Sequence, residues 1–264
     1  DDVAKYTDLS NRIKKAFLNE YVTPNGRLVS STQTAYVLAL NFDMLPEAQR
    51  KQAADYLVQN VKSYDNHLTT GFLGTPYLCH VLSRFGHSDV AYQLLLQETF
   101  PSWLYPVKMG ATTIWERWDG IKPDGTFQTA SMNSFNHYAY GAIGDWLYRI
   151  VVGIDTYEDG VGYKHIKLQP QPGGGLTYAN ADLQTQYGNV SSHWKIENGI
   201  FNWNVEVPAN TVATIYVPAS NVNDITESGK AISSIKEIKL SGTENDSVIL
   251  QLGSGHYLFS AKMK

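Results

Sequence analysis

The chain has 264 residues, 43% of them hydrophobic and 12% aromatic, enough to bury a large core in one or two domains. A net charge of −4, a pI near 6.0 and the lack of any basic cluster argue against nucleic acid as a partner. No window approaches the roughly 18 apolar residues of a membrane span, and the acidic start "DDVAKYTDLS" is unlike a signal peptide, which leaves a cytoplasmic chain or one exported after loss of an upstream signal.

In chain order, Leu9, Ile13, Ala16 and Phe17 of "DLSNRIKKAFLNEY" recur at helical spacing and predict an amphipathic helix with one face covered. "SSTQTAYVLALNFDML" opens with Ser30-x-x-Gln33, a capping-box pattern, and runs apolar nearly all round, as in an enclosed helix. From Pro46 to about Val61 the chain reads as a helix that keeps Arg50, Lys51 and Gln52 toward water. After the Gly-rich "NHLTTGFLGTP", Thr75 and Pro76 start a helix that stops at Gly86, and "SDVAYQLLLQ" is a short one. Cys79, the single cysteine, lies in the apolar run "PYLCHVL", which suits a small core residue and excludes disulfides within the chain. "NHYAYGAIGDWLYRIVVGI" is again apolar on most sides, with Gly141 and Gly144 where another backbone could come close. Enclosed and exposed helices thus alternate, as inner and outer rings of helices require.

Near residue 155 the period changes to that of strands, dividing the chain into 1–155 and 156–264. "DTYEDGVGYKHIKLQPQPGGG" holds a first strand, Tyr163 to Leu168. Trp194 and Ile196 before Asn198-Gly199, then Phe201, Trp203, Val205 and Val207 in alternation, make a strong hairpin signal with the indoles in the core. "TVATIYVPA" and "DSVILQLGSGHYLFSA" continue the pattern, so an antiparallel sandwich is expected.

Within the first part stands "GATTIWERWDG", in which Glu116 sits between Trp115 and Trp118. Aromatic faces stack on the C–H face of a pyranose, carboxylates take its hydroxyls, and desolvation by indoles raises a carboxylate pKa into the range of proton transfer. The bland alternative is a structural corner in which Glu116 pairs with Arg117 or a distant base. His137, beside Asn136 and after Asn133 and Ser134, is placed to meet a polyhydroxylated ligand, though a histidine there can equally be a cap or a packed ring. His67, His80 and His87 lack ligand spacing, so no metal and no cofactor is expected.

"TTIWERWDG", "MNSFNHYAYGAIGDWLYRIVVGI" and "LTYANADLQTQYGNVSSHWKIENGIFNWNVEVPANTVATIYVP", in this order and with "TTGFLGTPYL" upstream, resemble the C-terminal portion of the bacterial α-L-rhamnosidases of glycoside hydrolase family 78. The resemblance implies an α+β multidomain chain, the second half of an (α/α)6 six-hairpin toroid followed by a β-sandwich. It also implies an inverting mechanism that releases terminal α-L-rhamnose, with Glu116 as general base, His137 binding the rhamnose, Trp115 and Trp118 lining its subsite, and Arg117 and Asp119 holding the loop. The family's general acid belongs to an upstream motif with no counterpart between Asp1 and Gly110, and Glu20 and Glu47 stand at ordinary helix ends. Five or six helices appear where the barrel has twelve. The chain alone is therefore expected to be inactive and to expose an apolar face, to be met by the missing N-terminal half, in the same or another chain, or by a second copy. Two further readings stay open: a carbohydrate-binding or scaffold module without chemistry, and a six-hairpin glycosidase of other sugar specificity. The rhamnosidase reading implies a rhamnose-containing glycoside or oligosaccharide as partner, and under none of the three readings is nucleic acid or membrane expected.

Overall fold

In the computed structural model, which describes residues 1–131 and 133–263, the unit Asp1–Ile143 is helical and the unit Gly144–Lys264 is mainly strand. Met132, which opens the motif "MNSFNHYAYG", lies outside the described residues.

The first helix, α1 (Asp2–Tyr21), begins six residues ahead of the expected Asp8, and none of its residues is buried. Its apolar stripe is uncovered: Phe17 and Tyr21, with ring centroids 5.7 Å apart, join Leu28, Leu38, Phe42 and Met44 around an apolar groove of about 380 Å3. The second helix, α2 (Gln33–Asn41), is enclosed as expected, burying Tyr36, Val37, Ala39 and Leu40. Its cap differs from the capping box read from Ser30. Thr32 is the N-cap, its Oγ1 accepting from the Ala35 amide at 3.2 Å. Gln33 is then the first helical residue, from which its side chain cannot fold back on the cap as a third-position Gln does. Fully buried, it spans instead to a distant loop, its Nε2 donating to the His67 carbonyl and its Oε1 accepting from the Thr69 amide, both at 2.9 Å. Gln33→Leu leaves both backbone groups unpaired, an expected loss of roughly 2–4 kcal/mol in urea unfolding; a loss under 0.5 kcal/mol would show that water replaces the amide.

Helix α3 (Glu47–Ser63) has Pro46 as its cap and buries Ala53, Ala54, Leu57, Val58 and Val61 while Lys51 and Gln52 face water. Helix α4 (Thr75–Arg84) buries Leu78, Cys79, Val81 and Leu82, and burial pushes the Cys79 thiol pKa far up, as suits an inert core residue. At its start, a Cβ on Gly74 would lie 2.8 Å from Thr34 Oγ1 and 2.9 Å from Thr70 Cγ2, so only glycine lets the 70–74 loop close against α2. Helix α5 (Ser88–Leu95) packs on α4, and α2 packs on both α3 and α4. Buried α2 and α4 therefore alternate with half-exposed α3 and α5. A five-residue helix, α6 (Leu104–Lys108), contains Pro106 and is too short to show a period.

The long helix expected from His137 to Ile154 is broken into a 3-10 turn (Ala139–Ala142), α7 (Ile143–Trp146) and a π-helical turn (Leu147–Val152), and His137 precedes all three. Gly141 and Gly144 lower helix propensity where the type of turn changes. Gly153 closes the segment with φ +85°, a left-handed helix end that favours glycine. A Cβ there would lie 2.1 Å from the Pro170 nitrogen.

The strands of the second unit are β1 (Ile154–Thr156), β2 (His165–Leu168), β3 (Tyr178–Thr185), β4 (Gly188–Glu197), β5 (Ile200–Val207), β6 (Val212–Val217), β7 (Ile225–Glu227), β8 (Lys230–Ala231), β9 (Lys239–Glu244), β10 (Ser247–Leu252) and β11 (Gly255–Lys262). They form sheets ordered β1-β2-β6-β10-β9 and β3-β4-β5-β11-β7-β8. The anticipated first strand at Tyr163 is thus the second, beginning at His165, and the β2–β6 pair is parallel where only antiparallel pairing was expected. The chain leaves β2, builds β3 to β5 in the other sheet and then returns, and a crossover of that length permits parallel pairing. The β4–β5 hairpin is as read: Asn198 and Gly199 have φ +52° and +75°, and Trp194 pairs with Trp203 in the core. The buried indoles are satisfied. Trp194 Nε1 donates to the Val151 carbonyl at 2.9 Å, Trp203 Nε1 to Ser192 Oγ at 2.9 Å, and Ser192 Oγ to the Val152 carbonyl at 2.7 Å. These side chains pair carbonyls left open where the π turn ends.

Candidate active site

Residues 110–137 fold back on themselves as an irregular excursion. The Glu116 amide donates to the Ser134 carbonyl and the His137 amide to the Ile114 carbonyl, both at 2.9 Å, while the tip turns at Lys122–Thr126. "WERW" and "FNH" therefore run side by side although 21 residues separate Glu116 from His137. Gly120 lets them close: a Cβ there would meet Asn133 Oδ1 and Phe135 Cε1 at 3.1 Å and Trp115 Cε3 at 3.2 Å.

Glu116 is half-buried. Its Oε2 accepts from the Ser134 amide at 2.8 Å, so backbone and carboxylate are both tied to Ser134, and no hydrogen bond to Oε1 is present among the described residues. Arg117 turns to Asp119, at 3.7 Å. Trp115, 5% exposed, packs edge-on against Phe135 with centroids 5.2 Å apart. Half-buried Trp118 donates from Nε1 to the Thr70 carbonyl at 3.2 Å, stacks on Tyr140 at 3.8 Å and 10°, and meets the edge of Trp103 at 5.7 Å. Burial raises the Tyr140 phenol pKa above its ordinary value, Arg117 pulls it back, and the Glu116 and Asp119 charges raise it again. The phenol is thus a neutral hydrogen-bonding group throughout the physiological range.

The His137 imidazole lies nearly parallel to two rings, stacked on Phe72 at 4.6 Å and 10° and on Tyr138 at 5.6 Å and 12°. The Ala139 amide approaches its Nδ1 at 3.4 Å, which makes Nδ1 the acceptor and assigns the proton of the neutral ring to Nε2. Phe72, in turn, meets Tyr140 at 5.2 Å. Rings from four separate stretches therefore form a continuous series from Trp103 through Trp118, Tyr140 and Phe72 to His137. Phe72, Trp103 and Tyr140 are additions to the residues singled out from sequence. Phe72 lies in "TTGFLGTPYL", one of the runs that resemble the family, whereas nothing in the sequence pointed to Trp103. Among the described residues no group of three or more His, Cys, Asp or Glu side chains could hold a metal ion.

Residues 1–151 match the family model of the bacterial α-L-rhamnosidase six-hairpin glycosidase domain. The chain belongs to that family. Residues 153–231 match the bacterial α-L-rhamnosidase C-terminal domain. An α-L-rhamnosidase of Streptomyces avermitilis is 45% identical over 98% of this chain, and one of Formosa agariphila is 42% identical over 99% of it. The crystal structure of a Streptomyces avermitilis α-L-rhamnosidase complexed with L-rhamnose superposes over 98% of the chain with a TM-score of 0.91 at 45% identity. That of an Aspergillus terreus α-L-rhamnosidase superposes over 98% with a TM-score of 0.85 at 35% identity. The chain spans about a quarter of the length of these relatives, between 24% and 28%. The excursion carrying Glu116 and His137 lies wholly within the six-hairpin match.

Proposed function

We propose that this chain is the base-bearing portion of an inverting α-L-rhamnosidase that releases terminal α-L-rhamnose from rhamnosides. The observation that carries the reading is the hold on Glu116: with Oε2 engaged by the Ser134 amide, Oε1 is the oxygen available to deprotonate a water. Inversion requires a second, protonated carboxyl roughly 6.5–9.5 Å away across the sugar, and we assign it to the part of the enzyme upstream of this chain. His137, with its proton on Nε2, donates to a rhamnose hydroxyl, while half-buried Trp118 lines the subsite and Trp115, buried on Phe135, supports the loop. The bare groove beside α1 is where the upstream half of the barrel, or failing that a second copy, would cover apolar surface.

The test is a chimaera in which this chain replaces the corresponding quarter of the Streptomyces avermitilis relative. It is expected to hydrolyse an aryl α-L-rhamnoside with β-rhamnose as the first anomer seen by NMR, while the chain alone turns over at least roughly 10²-fold more slowly, for want of an acid. Appearance of α-rhamnose first would exclude the inverting role of Glu116. Comparable turnover by the chain alone would place both groups within it.

A further inference from the structure

Trp118 and His137 both lean on the loop before α4. The Thr70 carbonyl accepts from Trp118 Nε1 at 3.2 Å, and Phe72 stacks on His137 and meets Tyr140, which in turn stacks on Trp118. Three buried polar side chains, Gln33, Thr70 and Thr75, fix that loop from within unit Asp1–Ile143. Gln33 ties the His67 carbonyl and the Thr69 amide. Thr70 Oγ1 and Thr75 Oγ1 lie 2.8 Å apart, and Thr75 Oγ1 is 2.9 Å from the Gly71 carbonyl. A hydroxyl has one proton and a carbonyl can only accept, so Thr75 donates to Gly71 and accepts from Thr70. Backbone groups at 67, 69 and 71 and the side chain at 70 are thereby held by buried bonds, and a satisfied polar network of this kind selects a single arrangement.

We propose that Gln33, Thr70 and Thr75 are positioning residues for sugar binding, a buried brace that sets Trp118 through the Thr70 carbonyl and His137 through the Phe72 ring. The assignment rests on the reading of Trp118 and His137 as rhamnose contacts. It divides the labour of the site. The brace governs groups that bind the sugar, whereas Glu116 is oriented by the Ser134 amide inside the 110–137 excursion. A defect in the brace therefore weakens ground state and transition state alike, raising KM while kcat holds. Loss of folded protein acts otherwise: it lowers the apparent kcat and leaves KM where it was.

Thr75→Val keeps the shape of the side chain and removes the hydroxyl, whereas Thr75→Ser keeps the hydroxyl. In the chimaera, KM for 4-nitrophenyl α-L-rhamnoside is expected to rise about 3- to 10-fold in Thr75→Val, the weight of one buried hydrogen bond, with kcat within about twofold of the parent. Thr75→Ser should restore the parent KM, and Thr70→Val, which removes the other hydroxyl, should move KM in the same direction as Thr75→Val. NMR of the chain itself needs no turnover: the Trp118 Nε1–H resonance should shift and lose protection from hydrogen exchange in both valine variants and not in Thr75→Ser. An unmoved indole resonance in both valine variants would overturn the brace. A moved resonance with KM unchanged, or with kcat alone reduced, would overturn its role in sugar binding. A parent chimaera that does not hydrolyse the rhamnoside would overturn the rhamnosidase reading and that role together, and the indole resonance would still decide the brace.

Discussion

Glu116→Gln in the chimaera is expected to lower kcat by roughly 10²–10⁴-fold, the contribution of a positioned general base, while binding of rhamnose changes little. The substitution is nearly isosteric. A glutamine carbonyl still accepts the Ser134 amide hydrogen bond, so the loop keeps its shape and only the proton-accepting oxygen is lost. Arg117 and Asp119 pair with one another, so neither is freed to substitute. Turnover within tenfold of the parent would sink the assignment. A large rise in KM with kcat preserved would instead make Glu116 a sugar ligand, the behaviour of a binding module.

The second large effect concerns stability. Gly153→Ala forces a non-glycine residue into φ +85° and drives its Cβ to 2.1 Å from the Pro170 nitrogen and 2.4 Å from the Gln169 carbonyl carbon. Left-handed strain and displaced backbone together are expected to cost roughly 3–5 kcal/mol. The loss should appear in urea unfolding followed by hydrogen exchange of the β4 and β5 amides, because Val151 and Val152 carbonyls next to Gly153 take the Trp194 and Ser192 hydrogen bonds. Gly175→Ala supplies the comparison: it has φ +77° and open space around the added methyl, so it isolates the conformational part, roughly 1 kcal/mol. Equal losses in the two variants would show that the close approach to Pro170 relaxes freely.

Local signals carried far along this chain. The period of α2 to α5 and the alternation through Trp194, Phe201, Trp203 and Val205 are consequences of helix and strand geometry acting on neighbouring residues, and they hold in the structure. Asn198-Gly199 specifies its turn because those two residues tolerate positive φ. The motifs around Glu116 and His137 identified the family for a related reason, since each is a short run whose residue types need no distant partner to be recognised.

What the sequence determined by itself, then, is the two-part architecture, the Asn198-Gly199 turn, the core faces of α2 to α5 and of the β4–β5 hairpin, and the identity of the family. Only the tertiary structure decided that the Gln33 amide spans to the 67–69 backbone, that β2 pairs in parallel with β6, and that the helix after His137 breaks into three kinds of turn. It alone brought Phe72 onto His137, and Thr70 to Trp118 across 48 residues of chain. The physical reason is common to all of these. Backbone preference is encoded within a few residues, whereas the partner of a buried amide, a strand edge or an aromatic face is chosen by whichever distant segment packing delivers to it.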